Sequence, residues 1–203
     1  MHHQTAVMKI ITLFFTCISL SSAALNTTRM YYLKTQLKPD SDHGKAEYGD
    51  LWLSSYHTGA GTSDVTFLHD HNASTDHMKG YLGAINVTAN DMQYYNALFD
   101  FGSDYPWGLV MVPAVSFYSA WQPVRVNIGV SGPDFTISGF FMNDTGLQWT
   151  SNVQAPGSPN DMFGGWLVCD WWHGDPQLFF RISYYSTPAP GSCADVYLKP
   201  VYI

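Results

Sequence analysis

Residues 124–131 read VRVNIGVS, and the turn sequence Gly132-Pro133-Asp134 separates them from residues 135–141, which read FTISGFF. Apolar side chains fill every second position of the first stretch, and most of those positions in the second. Successive side chains of an extended chain point to opposite faces of a sheet. The pattern therefore predicts two half-buried β-strands joined by a turn.

The same alternation recurs on both sides of this segment. Further strands are predicted at residues 31–38, 50–58, 65–70, 80–88, 107–112, 165–171, 177–185 and 195–203. Short turn clusters separate them, and no long amphipathic helical window occurs. Residues 91–100 are ambiguous between strand and a short helix at a sheet edge. The pattern predicts an all-β, antiparallel β-sandwich with at most that one helix.

The composition agrees with a β-rich globular domain. Hydrophobic residues make up 46% of the 203-residue chain, aromatic residues 16% and charged residues only 12%. This hydrophobic content is sufficient for a packed core, and few charges with many aromatics favour strands. No internal repeat or long linker occurs, so residues 25–203 are predicted to form a single domain.

Residues 1–24 have the organisation of a signal peptide. Lys9 provides a basic n-region, residues 10–20 are apolar, and small residues follow up to Ala24. Cleavage is expected after Ala23 or Ala24. The alternative is a membrane anchor, but the apolar run is shorter than the roughly 20 residues that a spanning helix requires. We expect an exported, extracellular protein.

Export decides how the cysteines are interpreted. Cys17 would leave with the signal peptide, so the mature chain would keep only Cys169 and Cys193. In an oxidising compartment a single pair is most simply a disulfide. The alternative, a catalytic thiol, would require one of these cysteines to be free.

Four N-x-S/T sequons follow the signal peptide, which is typical of a glycoprotein of the eukaryotic secretory pathway. They begin at Asn26, Asn72, Asn86 and Asn143. The net charge of the chain is −7, and no run of Lys or Arg occurs in the sequence. We therefore expect neither nucleic acid nor an anionic membrane as a partner.

The most aromatic part of the chain lies around Cys169. If Cys169 faces the core, alternation turns Trp166 and Trp172 outward. Exposed indoles suit a stacking platform for sugar rings or for an apolar partner, with Asp170 and His173 as polar neighbours. The alternative is that a loop or the ambiguous segment covers these rings.

Histidines and aspartates also cluster between residues 69 and 77. On a strand His69 and His71 would share a face, a spacing that can chelate a metal, and His77 lies nearby. The sequon at Asn72 would place a glycan inside this cluster. We therefore predict no metal and no other cofactor.

Enzymatic motifs are missing from the sequence. It contains no G-x-S-x-G, no H-E-x-x-H and no phosphate-binding loop. Aspartates such as Asp170 and Asp175 could supply the two carboxylates of a glycosidase, with His173 or His57 as a further acid–base group. Nothing in the sequence distinguishes any of these residues as catalytic.

Several segments resemble those of a group of small secreted fungal proteins, a family known only as a domain of unknown function. These segments are LSSYHTGAG at 53–61, FGGWLVCD at 163–170, WWHG at 171–174 and PQLF at 176–179. The resemblance implies a fungal, extracellular, β-rich protein that keeps the Cys169–Cys193 pair. It implies no catalytic residue.

Two functions are carried forward from the sequence. The preferred one is a non-catalytic extracellular protein that contacts a wall polysaccharide or a host surface, in the manner of an effector. The alternative is a secreted hydrolase of glycans or esters. Exposed aromatic rings without carboxylates beside them would indicate binding. Exposed rings beside a close pair of carboxylates would indicate catalysis.

Overall fold

A computed structural model describes residues 29–39, 44–69, 78–113, 119–130, 132, 136–171 and 174–203. Twelve antiparallel strands occur in these ranges. They are β1 Tyr31–Leu37, β2 Trp52–Gly59, β3 Thr62–Leu68, β4 Lys79–Ala89, β5 Met92–Asp100, β6 Trp107–Met111, β7 Trp121–Ile128, β8 Phe140–Asn143, β9 Gly146–Trp149, β10 Phe163–Cys169, β11 Gln177–Ile182 and β12 Cys193–Tyr202. The predicted all-β antiparallel fold with a Cys169–Cys193 disulfide is confirmed.

One open alternative is resolved, and one local prediction is wrong. The ambiguous segment is strand β5 and not a helix, and its consecutive buried residues explain why it shows no alternation. The strand predicted at 135–141 begins only at Phe140, and residues 136–139 form a turn and an irregular connection. Strand β9 was not predicted, because four residues are too few to show a period.

Strand pairing is continuous and closes on itself. Strands β10, β12, β1, β2, β3 and β11 form a ring in which each pairs with the next, and β11 pairs back to β10. The other strands extend this ring through β4 and β7. The joints β1–β2 and β3–β11 consist of one residue pair each, Lys34–Trp52 and Thr66–Gln177. These two joints are therefore the shortest pairings in the ring.

One large apolar core fills the interior, and every strand contributes to it. Its largest fully buried side chains include Trp149, Trp166 and Phe180. The Trp149 ring lies 5.7 Å from the Phe180 ring, in edge-to-face contact. At Gly146 the backbone of β9 approaches β12 so closely that a Cβ would lie 2.0 Å from the Leu198 carbonyl oxygen. Only glycine fits there.

Helical structure in the described residues is limited to the 3-10 turn Ala46–Tyr48. No helix among them has the length and apolar character needed to cross a membrane. Thr35 anchors the 3-10 turn to β1, because its hydroxyl donates to the Tyr48 carbonyl at 2.7 Å and accepts from the Leu51 amide at 2.8 Å.

Candidate functional site

Strand β10 is buried on both faces, and its orientation is opposite to the prediction. Trp166 and Val168 face the main core, whereas Leu167 and Cys169 face a smaller apolar cluster on the outer side. Trp166 is 1% exposed, and its indole N–H donates to the Leu147 carbonyl at 2.6 Å. The prediction that Trp166 faces outward is wrong, because a strand covered on both sides does not reveal which face meets the core.

The disulfide lies at the centre of the outer cluster. Cys169 and Cys193 are direct partners in the register of β10 and β12. Phe179 is buried beside them, and Trp121 packs against the cluster while remaining partly exposed. The disulfide therefore supports an aromatic patch outside the main core.

A cleft of about 540 Å³ opens beside this cluster. Its mouth carries Trp171, which directly follows β10 and whose side chain is 43% exposed. The Trp171 ring packs edge-on against Phe179, with 5.0 Å between ring centroids. The cleft is lined by Thr58, Thr62, Asp64, Ser119, Trp121, Gln122, Pro123, Arg125, Trp171, Gln177 and Phe179.

Strand alternation explains why these side chains meet. On β11, Gln177 and Phe179 are two residues apart and share the outer face. The register pairs Phe179 with Pro123 on β7, which continues the same face. It also pairs Asp64 of β3 with Arg125 of β7. The cleft floor is thus the outer face of three neighbouring strands.

The cleft has two charged side chains in its described lining, and they are of opposite charge. Asp64 is the only carboxylate among the described lining residues, and Arg125 stands opposite it. Gln177 is only 2% exposed, and its side-chain oxygen has no hydrogen-bonding partner in the described part of the protein. Such a buried acceptor costs about 1–3 kcal/mol. The cleft therefore offers aromatic rings together with a buried acceptor.

Asp170 does not line this cleft. Its carboxylate accepts a hydrogen bond from Lys45 Nζ at 2.6 Å and another from the Tyr48 hydroxyl. The hydrogen bond from Lys45, followed by that from Tyr48, lowers the pKa of Asp170. Burial, with Asp170 as a second cause, raises the pKa of Tyr48. Asp170 fastens the end of β10 to the 3-10 turn.

The other predicted ligand-binding residues are only partly described. Trp172 and His173 lie outside the described residues, as do His71 and His77. His69 is exposed at the end of β3, and no group of three or more His, Cys, Asp or Glu side chains that could hold a metal occurs in the described ranges.

The remaining predicted residues lie on the surface or outside the described ranges. His57 is exposed and Asp175 is half-buried, and neither lines the cleft. Of the four sequon asparagines, Asn86 and Asn143 lie on exposed strand positions. Asn26 and Asn72 are outside the described residues.

A second cleft, of about 580 Å³, lies at the ends of β4 and β5. Asp100 and Asp104 line it together with Tyr81 and Tyr105. Asp100 Oδ1 accepts a hydrogen bond from the Gly102 amide at 2.7 Å. Burial, and secondarily Asp100, raises the pKa of Tyr81. No motif or spacing in the sequence distinguishes these residues.

Sequence reasoning also missed Trp121, Phe179 and Gln177. A signal was present in PQLF at 176–179, which overlaps the strand predicted at 177–185 and a segment of the family resemblance, but neither observation tells which strand lies beside it. Their association depends on the pairing of β11 with β7, which local patterns do not encode.

The sequence profile of one protein family, described as a domain of unknown function (DUF7907), matches residues 28–202. No curated protein and no solved structure matches the chain.

Proposed function

The chain belongs to the DUF7907 family, a domain of unknown function, and we propose that it is an exported protein whose cleft beside the disulfide binds a neutral glycan without transforming it. The observation that carries this proposal is the half-exposed Trp171 ring at the mouth of the cleft.

Trp171 is suited to stacking against a sugar ring. Its indole is fixed by edge-on contact with Phe179, so little conformational freedom is lost when a ligand covers it. Trp121 adds a second partly exposed ring to the same lining. Aromatic surface with a few fixed polar groups is the usual composition of a small-ligand site.

Gln177 supplies the polar counterpart. Its unpartnered oxygen is buried from water, and a rotation of the side chain toward the cleft would let it accept a hydrogen bond from a sugar hydroxyl, which would remove the cost of burying it. The opposed charges of Asp64 and Arg125 leave no net charge at that part of the floor. A neutral, hydroxyl-rich ligand matches this combination better than an ion does.

Binding without hydrolysis is favoured by the number of carboxylates. Most glycosidases use two carboxylates on either side of the scissile bond. The described lining of this cleft contains Asp64 alone. A site with one carboxylate can orient a sugar hydroxyl, but it lacks the second carboxylate that the usual hydrolytic mechanism requires.

Export is supported by three features of the chain. The Cys169–Cys193 disulfide is typical of oxidising compartments. Residues 1–24 have the organisation of a signal peptide. Asn86 and Asn143 stand on exposed positions, where a glycan can be attached. We further propose that the protein is fungal and that its ligand is a polysaccharide of a cell wall.

The test is retention of the exported protein on insoluble neutral polysaccharides of the β-glucan, mannan and chitin types. We expect Trp171→Ala to weaken binding about tenfold or more, as loss of a central aromatic contact does. Gln177→Met should also weaken it while leaving the melting temperature unchanged or higher, because an unpartnered buried oxygen is removed.

Tyr184→Ala is the matched control. Tyr184 is an exposed ring that also packs at 5.0 Å on a neighbouring ring, Tyr185, but it does not line the cleft. Its loss should leave binding unchanged. Retention of the Trp171→Ala variant at the wild-type level, or no retention of the wild-type protein on any of the three polymers, would refute the proposal.

A hydrolase is the second candidate, and the second cleft favours it. Asp100 and Asp104 line that cleft together, as a pair of catalytic carboxylates would. Release of reducing sugar that disappears in Asp100→Asn and Asp104→Asn, but persists in Trp171→Ala, would select this candidate.

A further inference from the structure

We propose that the outer face of β1, β12 and β11 binds an anionic polysaccharide through a basic strip, defined as Lys34, Lys38, Lys199 and Arg181. The strip is separate from the lining of the proposed glycan cleft.

The fold concentrates positive charge that is scattered in the sequence. The chain has nine Lys and Arg residues and a net charge of −7. Four of the nine form the strip, although they are distributed between residues 34 and 199. Lys34 and Lys38 lie four residues apart, which places their Cα atoms about 13 Å apart along the strand direction.

Two lysines of the strip are direct cross-strand partners. Lys34 of β1 pairs with Lys199 of β12 in the antiparallel register. Like charges directly opposite each other on a sheet are destabilising. Lys34 is partly compensated by Asp50 at 3.0 Å, and Lys199 Nζ donates to the Asp144 carbonyl at 2.5 Å. Asp50 is highly exposed, so water screens that ion pair strongly. An anion bound beside these ammonium groups would relieve this repulsion.

Aromatic rings lie beside the charges of the strip. The ammonium groups of Lys38 and Lys199 both lie 5.4 Å from the centroid of the Tyr197 ring. Lys34 lies 5.1 Å from the Trp52 ring. Cation–π contacts of this kind restrict the lysine side chains to the sheet surface. The strip therefore presents charges at defined positions.

Lys38 is held in a recess formed by β10. At Gly165, whose φ is +119°, an added Cβ would lie 2.6 Å from Lys38 Nζ. Burial lowers the pKa of Lys38, Asp195 opposes that shift, and Arg181 adds to it. A bound anion would favour the charged form of this lysine.

Arg181 forms the end of the strip that is nearest to the glycan cleft. Its guanidinium binds both oxygens of Asp195, at 2.8 and 2.9 Å, and also donates to the Thr187 carbonyl. The Arg181–Asp195 pair is therefore neutral, and Lys34, Lys38 and Lys199 supply the charge for a ligand. Arg181 pairs with Trp121 in the register of β11 and β7, so the strip ends at the cleft wall.

The charge pattern fits a polysaccharide better than a nucleic acid. Three lysines with neighbouring tyrosine and tryptophan rings offer charge and stacking to an extended chain with spaced carboxylate or sulfate groups. Binding of a nucleic acid depends on many phosphate contacts and on the counterions that they release, and the strip supplies only three lysines for such contacts.

The test measures binding of the exported protein to polygalacturonate, dextran sulfate, neutral dextran and single-stranded DNA at low and at physiological salt. We expect binding to one or both acidic polymers, weakened by salt because exposed charges are screened. Binding only to polygalacturonate assigns carboxylates as the ligand, and binding only to dextran sulfate assigns sulfates. Neutral dextran should not bind at this strip.

The double variant Lys34→Gln/Lys199→Gln should bind the acidic polymer roughly 25-fold more weakly, about fivefold per lysine. Its melting temperature should be unchanged or higher, because the like-charge pair is removed. Lys79→Gln, an exposed lysine of β4 outside the strip, is the control. Trp171→Ala should not affect binding of the acidic polymer, so failure of the cleft proposal and failure of this one are distinguishable. No binding to either acidic polymer, an equal effect of Lys79→Gln, or tighter binding of DNA would overturn the inference.

Discussion

At the scale of single residues, Asp161 shows how a polar side chain can organise a long connection. It is 5% exposed, and its carboxylate oxygens accept five hydrogen bonds from the Thr150 hydroxyl, the Ser151 amide and hydroxyl, and the Gly157 and Phe163 amides. These bonds fold the connection between β9 and β10 onto one carboxylate. In the sequence, Asp161 lies in a turn-rich segment and is recognisable only as a loop residue.

We expect Asp161→Ala to lower the free energy of unfolding by about 3 kcal/mol, because several buried donors lose their acceptor. For a domain of this size the melting temperature should fall by roughly 6–12 °C. Thermal unfolding followed by circular dichroism measures this shift. Asp104→Ala, an exposed aspartate, is the control. An Asp161→Ala melting temperature within about 2 °C of the wild-type value would contradict this assignment.

At the scale of elements, Asp170 connects β10 to the 3-10 turn through Lys45 and Tyr48. The hydrogen bond from Lys45 lowers the pKa of Asp170, so this contribution to stability is complete above the unfolded pKa of about 4. It is lost as the pH falls through the lower pKa of the folded state. The same hydrogen bond raises the pKa of Lys45, whose contribution is complete below about pH 10 and is lost at higher pH.

Asp170→Asn should therefore be less stable than the wild-type protein between pH 5 and 9, and the difference should shrink below about pH 4. Because the Asp170 side chain is largely exposed, water screens the interaction, and we expect a difference in melting temperature of at most about 3 °C. Melting curves over this pH range measure it, with Asp91→Asn as an exposed control. A difference that is constant down to pH 2 would show that the interaction is not electrostatic.

Strand β10 shows what sequence patterns do not resolve at this scale. Its place in the chain was predicted to within two residues, at 165–171 against the observed Phe163–Cys169, but the choice between its faces was predicted wrongly. Both faces are apolar, because the main core covers one and the cluster around Phe179 lies on the other. Burial of Trp166 and exposure of Trp171 follow from this choice.

At the scale of the whole molecule, the proposed export can be tested directly by the mass of the mature protein. We expect a protein that begins at Ala24 or Leu25, because cleavage should follow Ala23 or Ala24. We also expect glycans on the exposed Asn86 and Asn143. Intact mass spectrometry of protein expressed in a eukaryotic secretory host, before and after enzymatic deglycosylation, measures both. An uncleaved N-terminus with unmodified asparagines would exclude this route.

The amino-acid sequence by itself determined the all-β class, most strand positions and the pairing of the two cysteines. These features depend on local alternation and on residue type, which each segment carries independently. The tertiary structure decided which rings are exposed, how Trp121, Gln177 and Trp171 form one cleft, and how Lys34 comes to lie opposite Lys199. The physical reason is strand register, because a shift of one residue exchanges the two faces of a strand, and register is fixed only by packing of the whole sheet.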